Sequence, residues 1–413
     1  MNQLIKNTNY PFSKFNYFLI TILPITLLAG SLISNITIIL IGIFFVIDLI
    51  QRKNFFLIKD YNFYFLIIIN LYLIINSYFI SVEPQSTIKA IGFFRFILLT
   101  YAIYFYFKIF DNSFLKVWAI IFLIVSFDIF YEFVIGKNIL GFTSDYVGRI
   151  ASFTGSELKI GGFYFGFLFI SLAFFHNKKK TFFTLFFIFL ILALLIGERS
   201  NFIKILIMYL LFLSFFLNIS LIKRISIISS ILIISLMIIF TIPNLKGKYS
   251  YLNILSPIKK IETTQSQNYL KQVIDNNRHF VHYQIALRIF EENIIFGKGF
   301  KSFRAESYNE KYFDQNLEFS IGHGATHPHQ FHFEILSELG LIGYILVMTN
   351  FFYLIIRQKN LNKTFLNKSS ILFLIASLVP ILPSGSFFTS FGATIFFINY
   401  SFLIKSNIIN EKK

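Results

Sequence analysis

A chain of 413 residues that is 56% hydrophobic, 14% charged and has a mean hydropathy of +0.68 carries more apolar surface than a soluble fold of that size buries. That excludes a soluble enzyme and leaves a membrane protein. The net charge of +17 reads as membrane orientation, so no nucleic-acid partner is expected, and the absence of Cys excludes disulfides, thiolate metal sites and cysteine nucleophiles.

Apolar runs long enough to span, about 20 residues each, start at the N-terminus. The first, 15–31, has no small-residue cleavage site after it and reads as a retained span. Others follow at 34–50, 62–80, 88–107, 114–134, 160–175, 181–196, 201–219 and 225–243. After a polar interval come 334–356, 367–383 and 387–404, and the prolines at 380 and 383 leave room there for a broken helix or re-entrant turn. The fold class expected is an all-α polytopic membrane protein of about twelve transmembrane helices, with a large helical periplasmic loop before the tenth.

Basic residues orient it. Nineteen fall on the N-terminal side of the membrane and six in the short loops opposite, leaving aside Arg95 and the eleven within 244–333. Both termini are therefore expected in the cytoplasm and the long loop outside. The chain divides into helices one to five with their outer loop (1–160), helices six to nine (161–243), the periplasmic loop carrying the catalytic elements (244–333), and helices ten to twelve with the tail (334–413).

Charges inside a bilayer are usually paired. Arg95 in the fourth span and Asp128 in the fifth fall at similar depth, with Glu132 one turn from Asp128, so an Arg95 ion pair with Asp128 or Glu132 is expected. Arg149, Lys159 and Arg199 fall in outer loops and, with Arg278, would make the outer surface cationic. A guanidinium fork suits phosphate oxygens, although anionic headgroups alone attract such residues. Residues 271–290 read as a helix with Val281, Ile285 and Ile289 on one face and Asp275 as a cap, ended by a glycine turn, GKGF, at 297–300.

Five of the seven histidines (His279, His282, His323, His327 and His329) lie in the long loop, with His332 at its edge. Pro328 and the loop setting give no HExxH-type helical pair, so a metal site is disfavoured, and no nucleotide-binding fingerprint is present. A histidine beside phosphate-binding arginines suits proton abstraction from a hydroxyl. Glu334 and Glu338, one turn apart, would orient that base or pair with Lys or Arg.

Three stretches, GERSNFIKILI (197–207), NNRHFVHYQIALRIFEENIIFGKGFKSF (276–303) and THPHQFHFEILSELGLIG (326–343), resemble the O-antigen ligase and polymerase family of bacterial membrane glycosyltransferases. Gln330 stands where that family usually has Asn, and His282 or Tyr283 where it often has Trp. The resemblance implies a GT-C-like enzyme of the bacterial inner membrane. It implies an undecaprenyl-diphosphate-linked glycan as donor and a sugar hydroxyl of lipid A–core, or of another lipid-linked glycan, as acceptor. Arg199 and Arg278 would neutralise the diphosphate, and His329 would be the general base, with His327 the second choice. Arg149, Arg304 and Glu338 would support them, with inversion and no metal or other cofactor. A polymerase, a protein O-oligosaccharyltransferase, a lipid-linked glycan transporter and a non-catalytic assembly partner are the competing readings.

Overall fold

The computed structural model describes residues 11–110, 113–146, 148–217, 219–250, 278–313, 324–358 and 364–404. Its helices are α1 (Pro11–Leu28), α2 (Ser31–Gln51), α3 (Tyr61–Phe79), α4 (Ser86–Ile109), α5 (Ser113–Ile135), α6 (Ile160–Phe175), α7 (Lys179–Leu195) and α8 (Arg199–Phe215). They continue as α9 (Leu221–Thr241), α10 (Pro243–Ser250), α11 (Arg278–Glu292), α12 (Phe303–Glu306), α13 (Phe331–Arg357), α14 (Phe365–Ser377) and α15 (Ser390–Ser401). No strand occurs among the described residues. The chain is an all-α, multi-pass membrane protein. Among the described residues six helices, α2, α3, α4, α5, α9 and α13, are long and apolar enough to cross a membrane by length and composition.

Each apolar run read from the sequence coincides with a helix, and the ends differ where punctuation is local. The run 367–383 stops as a helix at Ser377, because Pro380 and Pro383 cannot continue the ladder. An irregular connection from 378 to 389 replaces its last turns. The predicted helix 271–290 is α11, whose described part begins at Arg278, so Asp275 lies outside the described residues. His323 and the side chain of Arg278 also lie outside them.

Helix contacts follow the apolar faces. Helix α15 packs between α4 and α6, α3 lies against α4 and α13, and α14 rests on α6 and α8. The interior is largely phenylalanine: Phe93 and Phe96 of α4 meet Phe397 of α15, and Phe122 of α5 meets Tyr164 and Phe189. The single tryptophan has a polar task as well. Pro24 within α1 leaves Ile20 O without its helical donor, and buried Trp118 supplies a replacement, donating from Nε1 at 3.1 Å.

Buried polar networks close the bundle at one end. Asp48 of α2 accepts from Arg52 Nε at 2.8 Å, and from Ser13 and Tyr106 hydroxyls at 2.7 Å. Nearby in chain direction, Tyr400 OH reaches Asn62 and Asn350, each at 2.8 Å. A second, smaller core gathers Val281, Ile285 and Ile289 of α11 with Phe303 and Tyr312. The i, i+4, i+8 face expected there is the face that is buried.

Candidate functional site

Helix α13 does not run straight. Gly340 has φ +64°, and the glycine turn after α11 enters the break. Lys298 N donates to Ser337 O and Gly299 N to Glu338 O, both at 2.9 Å, while Leu341 N donates to Ile294 O at 2.8 Å. A Cβ on Gly297 would come within 2.5 Å of the Glu338 carbonyl carbon, and one on Gly340 within 2.4 Å of Gly297 N. Only glycine allows that approach at positive φ. From the other side α3 holds the same turn: Asn76 donates to Phe296 O and accepts from Phe300 N, each at 2.7 Å, and Tyr72 OH donates to Leu339 O at 2.6 Å.

This clamp presents Lys301 and Arg304 to a cavity of about 780 Å³ at the opposite end from the Asp48 network. Its cationic lining is Lys89, Arg95, Lys159, Lys204, Lys301 and Arg304, drawn from four separate parts of the chain, and His327 joins them. Lys89 is paired with Glu83 at 3.2 Å and Lys159 with Glu157. Glu198 also lines it; burial pushes its carboxyl up from the ordinary range, which favours the neutral form, although Asn201, Arg149 and Lys204 pull the other way. The irregular connection 378–389 forms another wall, through Ser384, Ser386 and Phe387.

Four histidine rings pack together beside it. His329 stacks on His282 with centroids 5.3 Å apart, meets His279 edge-on at 5.3 Å, and lies 4.0 Å from His327. The backbone of His329 has φ +58°, a left-handed conformation uncommon outside glycine. Two bonds hold it there: its carbonyl accepts from Ser384 N at 2.7 Å, and the next residue caps α13. Gln330 Oε1 accepts from Phe333 N at 2.9 Å, so the longer amide found in place of Asn still performs an N-cap's task. His327 donates or accepts through Nδ1 with Thr326 Oγ1 at 2.9 Å, and among the described residues its buried Nε2 has no partner at hydrogen-bond geometry. Burial first, then Lys301 and the neighbouring histidines, push the His327 imidazole down to about 4.

Of the residues singled out in the sequence, Arg95, Arg304 and His327 line the cavity, and His329 stacks behind His327. Arg149 and Arg199 come within electrostatic reach of each other beside Glu198 but are not in its lining. The 148–150 strip passes so close to Gly197 (φ +75°) that a Cβ there would meet Gly148 O at 1.9 Å. Glu338 and Glu334 are buried and orient backbone, not a histidine. Glu338 Oε2 accepts from Lys301 N at 2.9 Å, while Glu334 accepts from Phe387 N at 2.8 Å and from Ser386 Oγ.

The expected ion pair is not formed. Arg95 donates to Gly92 O at 2.7 Å, to Ser390 Oγ at 3.1 Å and to Asn35 Oδ1 at 3.4 Å, and lies over the Phe96 ring. Asp128 accepts from Ile139 N and Ser152 Oγ, and Glu132 from Ala151 N and Ser152 N. Helix α4 packs on α2, α3 and α15, whereas α5 packs on α1, α6 and α7, so the two spans do not lie side by side. Equal depth in the membrane is not adjacency; the two carboxylates instead hold the loop that carries Arg149.

Residues 183–348 match the family model described as O-antigen ligase. Over that segment the chain is similar to the O-antigen ligase family. The match takes in Arg199, Arg278, Lys301, Arg304, His327, His329 and Glu338. Curated proteins give no match to the chain. Lys301, Lys204 and Ser386 were not assigned roles from the sequence. Lys204 had a visible signal, a cation inside an apolar helix. Ser386 had none, since its partner Glu334 is 52 residues away.

Proposed function

We propose that the chain is a glycosyltransferase of the O-antigen ligase type, moving a glycan from undecaprenyl diphosphate to a sugar hydroxyl of lipid A–core. The observation that carries this is the cation-lined cavity with a histidine cluster at its wall. Diphosphate becomes a competent leaving group once its charge is compensated, and fixed cations in a partly dry site do this well. The acceptor oxygen attacks the anomeric carbon, the bond from that carbon to the diphosphate oxygen breaks, and the configuration inverts in one displacement. The hydroxyl proton passes to an imidazole. His329 is the base that the resemblance implies; His327 is the one that lines the cavity. Arg199 and Arg278 would neutralise the departing diphosphate, with Arg149 and Arg304 in support, and Glu338 would position Lys301. No metal or other cofactor has an assigned step.

The topology belongs to the same proposal: about twelve spans, both termini cytoplasmic, and the cavity on the periplasmic face of the inner membrane. The supporting fact is that the connections at 83, 157–159 and 198, each two helices from the next, share one cavity. A polymerase would use the same donor chemistry with a second lipid-linked glycan as acceptor.

The test is transfer by the purified protein from a lipid-diphosphate glycan. Alanine at Arg278 or at His329 should lower turnover by two to four orders of magnitude, at about the cost of losing a charge-compensating or proton-transfer group, with protein yield unchanged. Turnover should survive EDTA. Full activity in either variant removes that residue's role, and loss in EDTA restored by Mg²⁺ overturns the metal-free mechanism.

A further inference from the structure

Lys204 is the most deeply buried cation in the cavity wall, only 4% exposed. Among the described residues its ammonium forms no hydrogen bond and no ion pair, and it lies 5.8 Å from the centroid of the Phe165 ring. A buried ammonium without an anion is costly, and Glu198, the nearest carboxylate in charge terms, lies beyond ion-pair distance with its Oε1 unbonded. Arg95 shows the same condition in part. Its Nε is buried without a partner, and none of its bonds goes to a carboxylate.

The start of α15 shares that cavity with both. Ser390, Phe391 and Gly392 all line the cavity. Thr389 Oγ1 caps the N–H of Gly392 at 3.2 Å, leaving those of Ser390 and Phe391, which carry the positive end of the helix dipole. Ser390 Oγ is the group that Arg95 NH2 touches at 3.1 Å, so guanidinium and helix terminus address the same space. Three sources of positive potential, one deeply buried and unpartnered, thus meet in one lining with no compensating carboxylate bonded to any of them. That is the electrostatic signature of an anion site.

We propose that Lys204, Arg95 and the N-terminus of α15, none of them among the arginines given a role above, form a phosphate-binding subsite that holds the phosphate or diphosphate of a lipid-linked ligand. The ligand's identity rests on the transferase reading above; the anion site itself does not. The chemistry is shared by the donor's diphosphate and by a phosphate on the acceptor lipid.

The probe is inorganic pyrophosphate, titrated into the detergent-purified full chain, with folding followed by size-exclusion profile and thermal melting. Lys204→Met, which keeps length and removes charge, and Arg95→Gln should each weaken binding tenfold or more, and Lys204→Arg should retain it. If Lys204→Met fails to fold, the half-buried Arg95→Gln decides. Unchanged pyrophosphate affinity in the folded charge-removing variants overturns the subsite. His329→Ala should bind pyrophosphate as the wild type does, so loss of the transferase reading leaves this result standing. In the transfer assay, a higher donor KM in Arg95→Gln assigns the subsite to the donor diphosphate, and a higher acceptor KM assigns it to the acceptor lipid; unchanged values of both overturn its role in transfer.

Discussion

His327 is held neutral by its surroundings. With burial and Lys301 pushing the imidazole down to about 4, against an ordinary value of about 6.5, it stays unprotonated through the neutral range. If it takes the acceptor proton, turnover should remain flat with falling pH until about pH 5, and the acid limb should lie well below the usual histidine range. A pH–rate profile breaking near 6.5 would point to a different base. The linkage has a definite sign. Unfolded, this imidazole binds a proton below about 6.5; folded, only near 4, so its contribution to stability falls as pH drops through that window. Alanine at Gly297 tests the backbone instead: its Cβ would meet Glu338 backbone at 2.5 Å with φ +68°. A loss of about 1–3 kcal/mol is expected, seen as a lower melting temperature in detergent. His327, Arg304 and Gly297 could all be singled out from the sequence because their residue types are informative alone. The bonds of Glu334 to Phe387 and of Arg95 to Ser390 could not, since each joins segments remote along the chain.

At the scale of elements, the glycine turn, the break in α13 and the C-terminal half of α3 act as one joint that sets where Lys301 stands. Asn76 is its polar centre, with both ends of the amide bonded at 2.7 Å. Asn76→Ala should leave a buried N–H and carbonyl unsatisfied, costing about 1–3 kcal/mol each, and should reduce turnover although Asn76 does not line the cavity. Melting temperature and kcat, measured together, check it; unchanged values of both would remove the joint from the account. The helices themselves were legible, because a membrane span is written as an uninterrupted apolar run, and so was the buried face of α11, whose period is local. Which helices touch was not legible. The Arg95 pairing failed for that reason: depth follows from position in a span, whereas adjacency is set by side-chain packing between remote helices, here placing α15 and not α5 beside α4.

For the whole molecule, the polar groups are divided between two ends of an apolar bundle. The Asp48 and Tyr400 networks are bonded within the protein, while among the described residues the cavity end retains Lys204 without an ion pair and Arg95 with a buried, unbonded Nε. A closed network stabilises the fold; an incompletely satisfied one is suited to a ligand. The lack of native cysteine makes the orientation easy to test. Tyr308→Cys, on an exposed side chain of the long loop, should react with an impermeant maleimide in intact cells, and Lys178→Cys only after permeabilisation; the reverse pattern would invert the topology. The central claim, transfer of a lipid-linked glycan, is tested most directly by deleting the gene in its host and resolving the surface glycolipids by gel and mass spectrometry. The account predicts that polymer disappears from lipid A and accumulates on its lipid carrier, with rescue by the wild-type chain but not by Arg278→Ala. An unchanged glycolipid profile would contradict it.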